Sequence, residues 1–419
     1  MVTMDTADIP RPTPQQARWQ DLEMLAFAHF GPNAFTDREW GEGTEDPGVF
    51  DPSELDAGQW ARACRAAGMK MLIVTAKHHD GFCLWPSGLT EHSVRKSPWR
   101  DGKGDLVGEV SEACREYGLD FGVYLSPWDR HEETYGTSAY NRHFIGQLEE
   151  LLTRYGPVAE VWFDGACGEG PSGKKQEYDW GAYYGVVRRL QPDALIAICG
   201  PDIRWVGNES GIAREDEASS QEVPAGDEAP LRKFQTPYQD GGAVWWPAEC
   251  DVSIRPGWFY HASQDGEVKD LDKLMEIYLS SVGRNSNLLL NIPPDKRGLF
   301  HDVDVARLEE FGREVERRFG ESLAETSGTG GTVELNLRRP EAVDSVVVQE
   351  DISDGERISD FVVQGHSGSW RDLAAGKVIG HKRIFEVGGK ELDAVRLVVR
   401  ESRGVPRVGR LAVFTSEPG

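Results

Sequence analysis

Positive charge is scarce in this 419-residue chain: 46 Lys and Arg stand against 70 Asp and Glu, a formal net charge of −24. Such a surface repels backbone phosphates, which excludes nucleic acid as a partner. The deficit is uneven, because residues 325–419 are nearly charge-balanced and the acidity belongs to the first 324 residues. Cysteine is also sparse. The six cysteines form no CxxC pair, and none lies in the last third of the chain, so they read as free thiols. No uninterrupted apolar run is long enough to span a bilayer, which excludes a membrane partner. The N-terminus, MVTMDTADIPRPTPQQ, has no apolar h-region and reads as cytoplasmic. Nothing in the sequence sets the oligomeric state.

Aromatic residues, in contrast, are plentiful: 13 Trp, 16 Phe and 11 Tyr fill a sizeable core and leave rings over for a cleft. One unit recurs along the first two thirds of the chain, an amphipathic helix, a Gly or Pro stop, then a short apolar run. Asp56–Ala67 ends at Gly68 before MKMLIVTA, Asp105–Tyr117 at Gly118 before LDFGVYLS, Ala139–Tyr155 at Gly156 and Pro157 before VAEVWFD, and Trp180–Leu190 near Pro192 before ALIAICG. Further strand candidates are WFYH at 258–261 and NLLLNI at 287–292. Helices alternating with buried strands imply a parallel sheet, here an α/β fold of the (β/α)8-type barrel, because no GxGxxG follows the first strand and polar residues gather at strand ends.

A charged helix over 303–319 is followed by ESLAETSGTGG, which reads as a linker. Beyond it TVELNL, DSVVVQED, DFVVQGH, RIFEV and AVRLVVRE predict an antiparallel β-sandwich. The expected organisation is therefore an N-terminal tail at 1–15, a barrel at 16–324 and a C-terminal β-sandwich at 325–419. Such a module either packs on the barrel or binds sugar, and packing is the expected role.

A parallel barrel presents its chemistry at the C-terminal ends of its strands. There the sequence places His29, His78, His79, Tyr124, Trp128, Trp162 and Asp164, with Asp202, Trp205 and Glu209 in the loop after ALIAICG. In VAEVWFDGA, strand alternation puts Trp162 and Asp164 on one face, towards the pocket. His78 and His79 are adjacent and reach one site only if the strand has ended or bulges. Sugar hydrolysis with retention needs two carboxylates about 5–5.5 Å apart. Asp164 is one; Asp202, Glu209, Glu215, Asp216 and Glu217 are all open as the second, with Trp205 and Val206 offering Glu209 apolar surroundings. His29, His78, His79 and Asp164 also make a metal set by residue type, so a metal-dependent hydrolase is a competing reading, and a catalytically silent sugar-binding protein is a third.

AHFGPNAFTDREWGEG, TAKHHDGFCLWPS, YLSPWDRH, VWFDGA, GPDIRWVGNESG, PAECDVSIRPGWFYH and SVGRNSNLLLNIPPD, in this order and spacing, resemble the retaining α-L-fucosidases of glycoside hydrolase family 29. The resemblance covers essentially the whole chain. It implies Asp164 as the nucleophile and, from WVGNE, Glu209 as the acid/base of the subgroup favouring α-1,3/1,4 linkages. It implies sugar contacts from His29, His78, His79, Tyr124 and Trp162, with Glu39, Trp40 and Asp37 as weaker matches. The implied substrate is a fucosylated oligosaccharide or glycoconjugate, with no metal and no cofactor. Trp245 and Trp246, in the stretch from Ala218 to Val252, are candidates to stack on a second sugar, with a plain packing role for one of them as the equal alternative.

Overall fold

Aspartate starts most of the long helices. Asp56 accepts the Gln59 amide ahead of α3 (Ala57–Ala66), Asp105 that of Gly108 ahead of α4 (Leu106–Tyr117), Asp179 that of Ala182 ahead of α6 (Trp180–Leu190) and Asp270 that of Lys273 ahead of α7 (Leu271–Ser281). A carboxylate at this position satisfies an orphan amide and faces the positive end of the helix dipole. Thr137 caps α5 (Ser138–Arg154), and His301 caps α8 (Asp302–Phe319). Two shorter helices, α1 (Pro14–Gln20) and α2 (Pro32–Thr36), flank the first strand.

The structure, a computed structural model, describes residues 9–223 and 242–416. Most of the N-terminal tail and the middle of the Ala218–Val252 stretch therefore lie outside the described residues. The strands are β1 (Met24–Ala28), β2 (Met71–Lys77), β3 (Asp120–Leu125), β4 (Glu160–Phe163), β5 (Leu195–Ile198), β6 (Arg204–Trp205), a hairpin of β7 (Ser220–Val223) with β8 (Gly242–Trp245), then β9 (Ala248–Ser253) and β10 (Ser286–Asn291). Eight of them, all but the hairpin, form one sheet in the order β5-β4-β3-β2-β1-β10-β9-β6, and every ladder in it is parallel. A single bridge between Cys199 and Arg204 joins its two edges, so the barrel is nearly closed.

Alternation along each strand divides the residues cleanly. Leu25, Phe27, Met71, Ile73, Tyr124, Trp162, Ala197 and Leu289 fill the barrel interior, while Ala26, Leu72, Val74, Val123, Val161 and Leu290 face the helices. The WFYH strand expected at 258–261 does not form; the strand is β9, ten residues earlier. Glu249 and Asp251 interrupt β9's apolar pattern, so it reads as a loop, whereas Trp258 and Phe259 belong to the loop that follows it.

The C-terminal part comprises β11 (Ala324–Thr329), β12 (Thr332–Glu350), β13 (Ile358–His366), β14 (Trp370–Gly376), β15 (Arg383–Ser402) and β16 (Arg407–Phe414), antiparallel in the order β11-β16-β12-β15-β13-β14. The segment expected as a linker is largely β11, an edge strand held by its ladder to β16 rather than by apolar side chains. Strand β12 unites TVELNL with DSVVVQED, and β15 unites RIFEV with AVRLVVRE. Register breaks between Asn336 and Glu341 and between Val343 and Ser345 let these long strands bend, so Val333, Leu335, Val346 and Val348 share one core. This sheet packs beside the starts of β7 and β10, where Glu356 accepts the Ser219 and Ser220 amides and the Asn285 side chain, each at 2.8–2.9 Å.

Candidate active site

At the C-terminal ends of the barrel strands a cavity of about 160 Å³ is lined by Phe27, His29, Trp40, His78, His79, Tyr124, Trp162, Asp164, Ala166, Glu209, Asp251 and Trp258. A larger groove of about 430 Å³ opens at the opposite end of the barrel. Its carboxylates already have partners: Asp120 lies 3.9 Å from Arg18, and Asp193 accepts from Gln15 at 2.8 Å. Chemistry rather than volume singles out the smaller cavity.

Asp164 follows β4 and shares the interior face with Glu160 and Trp162. Its Oδ2 accepts the Tyr124 hydroxyl at 2.9 Å, and its Oδ1 accepts the Ala166 amide at 2.7 Å. Burial and the neighbouring Asp164 hold the Tyr124 phenol well above its ordinary range, so it remains a donor. His79 Nε2 stands 3.9 Å from Asp164 Oδ2, while its Nδ1 meets Ser126 Oγ at 2.7 Å.

His29 Nδ1 meets Asn291 Oδ1 at 2.9 Å, and burial lowers this imidazole from 6.5 to about 4. Burial lowers His79, and burial together with His79 and His29 holds His78 well below its ordinary value. The three rings are therefore neutral near pH 7, able both to donate to and to accept from hydroxyl groups. Strand β2 ends at Lys77, so both His78 and His79 turn towards the cavity, ring centroids 4.0 Å apart. Among the described residues, His78 Nδ1 is buried without a hydrogen-bond partner. Among the described residues no three His, Cys, Asp or Glu side chains group as a metal-binding set, and the six cysteines are unpaired.

Glu209 reaches the cavity from the loop after β6. Of the five carboxylates between Pro201 and Glu217 it is the one lining the cavity. Asp202 pairs with Arg188, Asp216 with Arg383, Glu217 with Arg204 and Arg214, and Glu215 is exposed. The Trp258 indole donates to Glu209 Oε2 at 3.3 Å, and the Trp205 indole donates to Asp251 at 2.7 Å.

Trp40 is 58% exposed at the rim, edge-on to Trp128 and His79. Glu39 is not among the lining residues: it accepts the Trp258 and Phe259 amides and meets His261, and Asp37 also meets His261. Both hold the loop that carries Trp258 and His261. Trp245 and Trp246 are buried, their indoles donating to Gln20 and the Gly200 carbonyl, so neither is free to stack on a second sugar. Trp245 ends β8, and its carbonyl is held by Gln16 of α1. Trp258 and Asp251 were missed by sequence reasoning, although Asp251 alternates correctly with Glu249 once β9 is known to be a strand.

No helix among the described residues is long and apolar enough to cross a membrane. Residues 13–318 match the family model for α-L-fucosidase. The chain is 39% identical over 450 residues to α-L-fucosidase 1 of Arabidopsis thaliana, covering 97% of this chain and 88% of that protein. A crystal structure of a glycoside hydrolase 29 family member from an unknown rumen bacterium superposes with a TM-score of 0.90 at 41% identity, over 98% of this chain and 78% of the other. A GH29 fucosidase of Ruminococcus gnavus in complex with fucose superposes with a TM-score of 0.86 at 30% identity, over 100% and 96%.

Proposed function

The chain belongs to the α-L-fucosidase family of glycoside hydrolases, and from that premise we propose that it removes terminal α-1,3- or α-1,4-linked L-fucose from branched glycans with retention of configuration. Asp164 is the nucleophile and Glu209 the acid/base. The observation that carries the pair is their convergence on one cavity, from which the other carboxylates of the Glu209 loop are absent.

Asp164 attacks the anomeric carbon as the glycosidic bond breaks, and Glu209 gives its proton to the leaving oxygen. Water then attacks the fucosyl-enzyme, Glu209 takes its proton, and Asp164 is released. Tyr124 and the Ala166 amide hold the Asp164 carboxylate in one orientation before attack. His29, His78, His79 and Tyr124 supply partners for the sugar hydroxyls, and Trp162, with the rings of Phe27 and Trp258, supplies the apolar wall a 6-deoxy sugar needs. The R. gnavus relative is in complex with fucose; in this chain we place the sugar in the cavity beside Asp164.

The linkage preference rests on the resemblance in GPDIRWVGNESG and on the exposed Trp40, an aromatic face at the rim for the rest of the glycan. A remote sugar that contacts the enzyme in the transition state raises kcat/KM. Lewis-type trisaccharides should exceed α-1,2-linked fucosyl-lactose and simple aryl fucosides by about tenfold, roughly 1.4 kcal/mol. Equal kcat/KM values across the three would mark a broad-specificity α-L-fucosidase instead.

A further inference from the structure

Asp251 lies in the cavity wall without a role in the chemistry above. It stands on β9, on the same interior face as Glu249, and is 4% exposed. Its Oδ1 accepts the Trp205 indole N–H at 2.7 Å. Trp205 closes the short β6–β9 ladder opposite Glu249, and the next amide, that of Val206, donates to the Glu249 carbonyl at 3.0 Å. The chain then turns away at Gly207, whose φ of +101° suits glycine. Glu209 follows two residues later.

The far end of this loop is held as firmly. A Cβ on Gly211 would lie 2.9 Å from Val252 and 2.8 Å from Ile277, and the Ala213 amide donates to the Ser280 carbonyl at 2.9 Å. Consecutive residues of β9, Asp251 inside the barrel and Val252 outside it, thus grip the two ends of the stretch that carries Glu209.

We infer that Asp251 is a positioning residue for general acid catalysis: by holding the Trp205 indole it fixes the root of the loop that presents Glu209 to the leaving-group oxygen. This rests on Glu209 being the acid/base. Burial, with Glu249 and Glu209 nearby, holds the Asp251 carboxyl well above the usual range. An acceptor at this position is what the geometry requires; a charge is not. Without the acceptor the indole N–H loses this 2.7 Å hydrogen bond, and a displaced general acid protonates the leaving oxygen poorly.

The test compares D251A, W205F and D251N, with E209A in parallel, on a fucosylated oligosaccharide and on an aryl fucoside with an activated leaving group. In D251A and W205F, kcat/KM for the oligosaccharide should fall on the order of 10- to 100-fold while the activated substrate changes less than about threefold, because only the poor leaving group needs the acid. D251N keeps an acceptor for the indole and should restore oligosaccharide turnover to within about threefold of the parent. Equal losses on both substrates in D251A and W205F would reduce Asp251 to barrel packing and overturn the inference, as would a D251N as impaired as D251A. An E209A without leaving-group dependence would instead remove Glu209 from the acid/base role, a failure separate from that of Asp251.

Discussion

Asp164 and Glu209 face one cavity but are held by different means. Asp164 sits at the end of a barrel strand, its side chain 25% exposed, with a phenol and a backbone amide fixing its two oxygens. Glu209 sits on an exposed loop, steered by a longer bond from Trp258 and by the strand that grips the loop's root. The position of Asp164, the proposed nucleophile, follows from barrel register. That of Glu209, the proposed acid, depends on side chains from β9 and the loop beyond it, so the proposed chemistry pairs one rigid and one tethered group.

The sharpest way to break this contrast is to remove the rigid member. D164A should lower kcat by at least about 10³-fold, some 4 kcal/mol of transition-state stabilisation, with the thermal midpoint preserved. Added azide should then form the β-fucosyl azide from an activated aryl fucoside. Near-normal turnover in D164A would move the nucleophile elsewhere. E209A should cost about 10²- to 10⁴-fold on natural glycans and far less on activated substrates. A harmless E209A beside a crippling E215A would put the acid on the wrong part of the loop.

The support around Asp164 gives a smaller effect. Y124F removes a hydrogen bond to a charged group, worth about 1.5–3 kcal/mol, and should lower kcat by roughly 10- to 100-fold. An unchanged kcat would leave the Ala166 amide sufficient to hold the carboxylate. The smallest effect concerns stability. His29 is neutral in the fold down to about pH 4, whereas in the unfolded chain it protonates below 6.5. The unfolded state therefore binds the extra proton between these values. Stability should rise with pH across that window and fall on acidification, with His29 contributing up to about 1.4 kcal/mol per pH unit. Denaturant titrations of H29N should show a flatter pH dependence between 4 and 6.5; a slope equal to that of the parent would place the titration on other groups.

How much of this was legible varied with distance along the chain. Helix starts at Asp56, Asp105 and Asp179 and the strands after them could be read directly, because a cap and its amide lie three residues apart. The same local rule placed Trp162 and Asp164 on the interior face. Strand β9 escaped because Glu249 and Asp251 are accommodated inside the barrel by indoles remote in sequence, Trp162 at 2.8 Å and Trp205 at 2.7 Å. Trp245 and Trp246 looked available for sugar and are buried, since their partners Gln20 and Gly200 are remote in sequence.

By itself the sequence determined the alternation of helix and strand, and with it the barrel and the strand-end residues, because caps and strand alternation act over a few residues. The tertiary structure decided which loop carboxylate faces Asp164, where Glu39 and the paired tryptophans go, and what holds Glu209. Those choices depend on contacts between segments tens to hundreds of residues apart, and no local pattern of side chains encodes them.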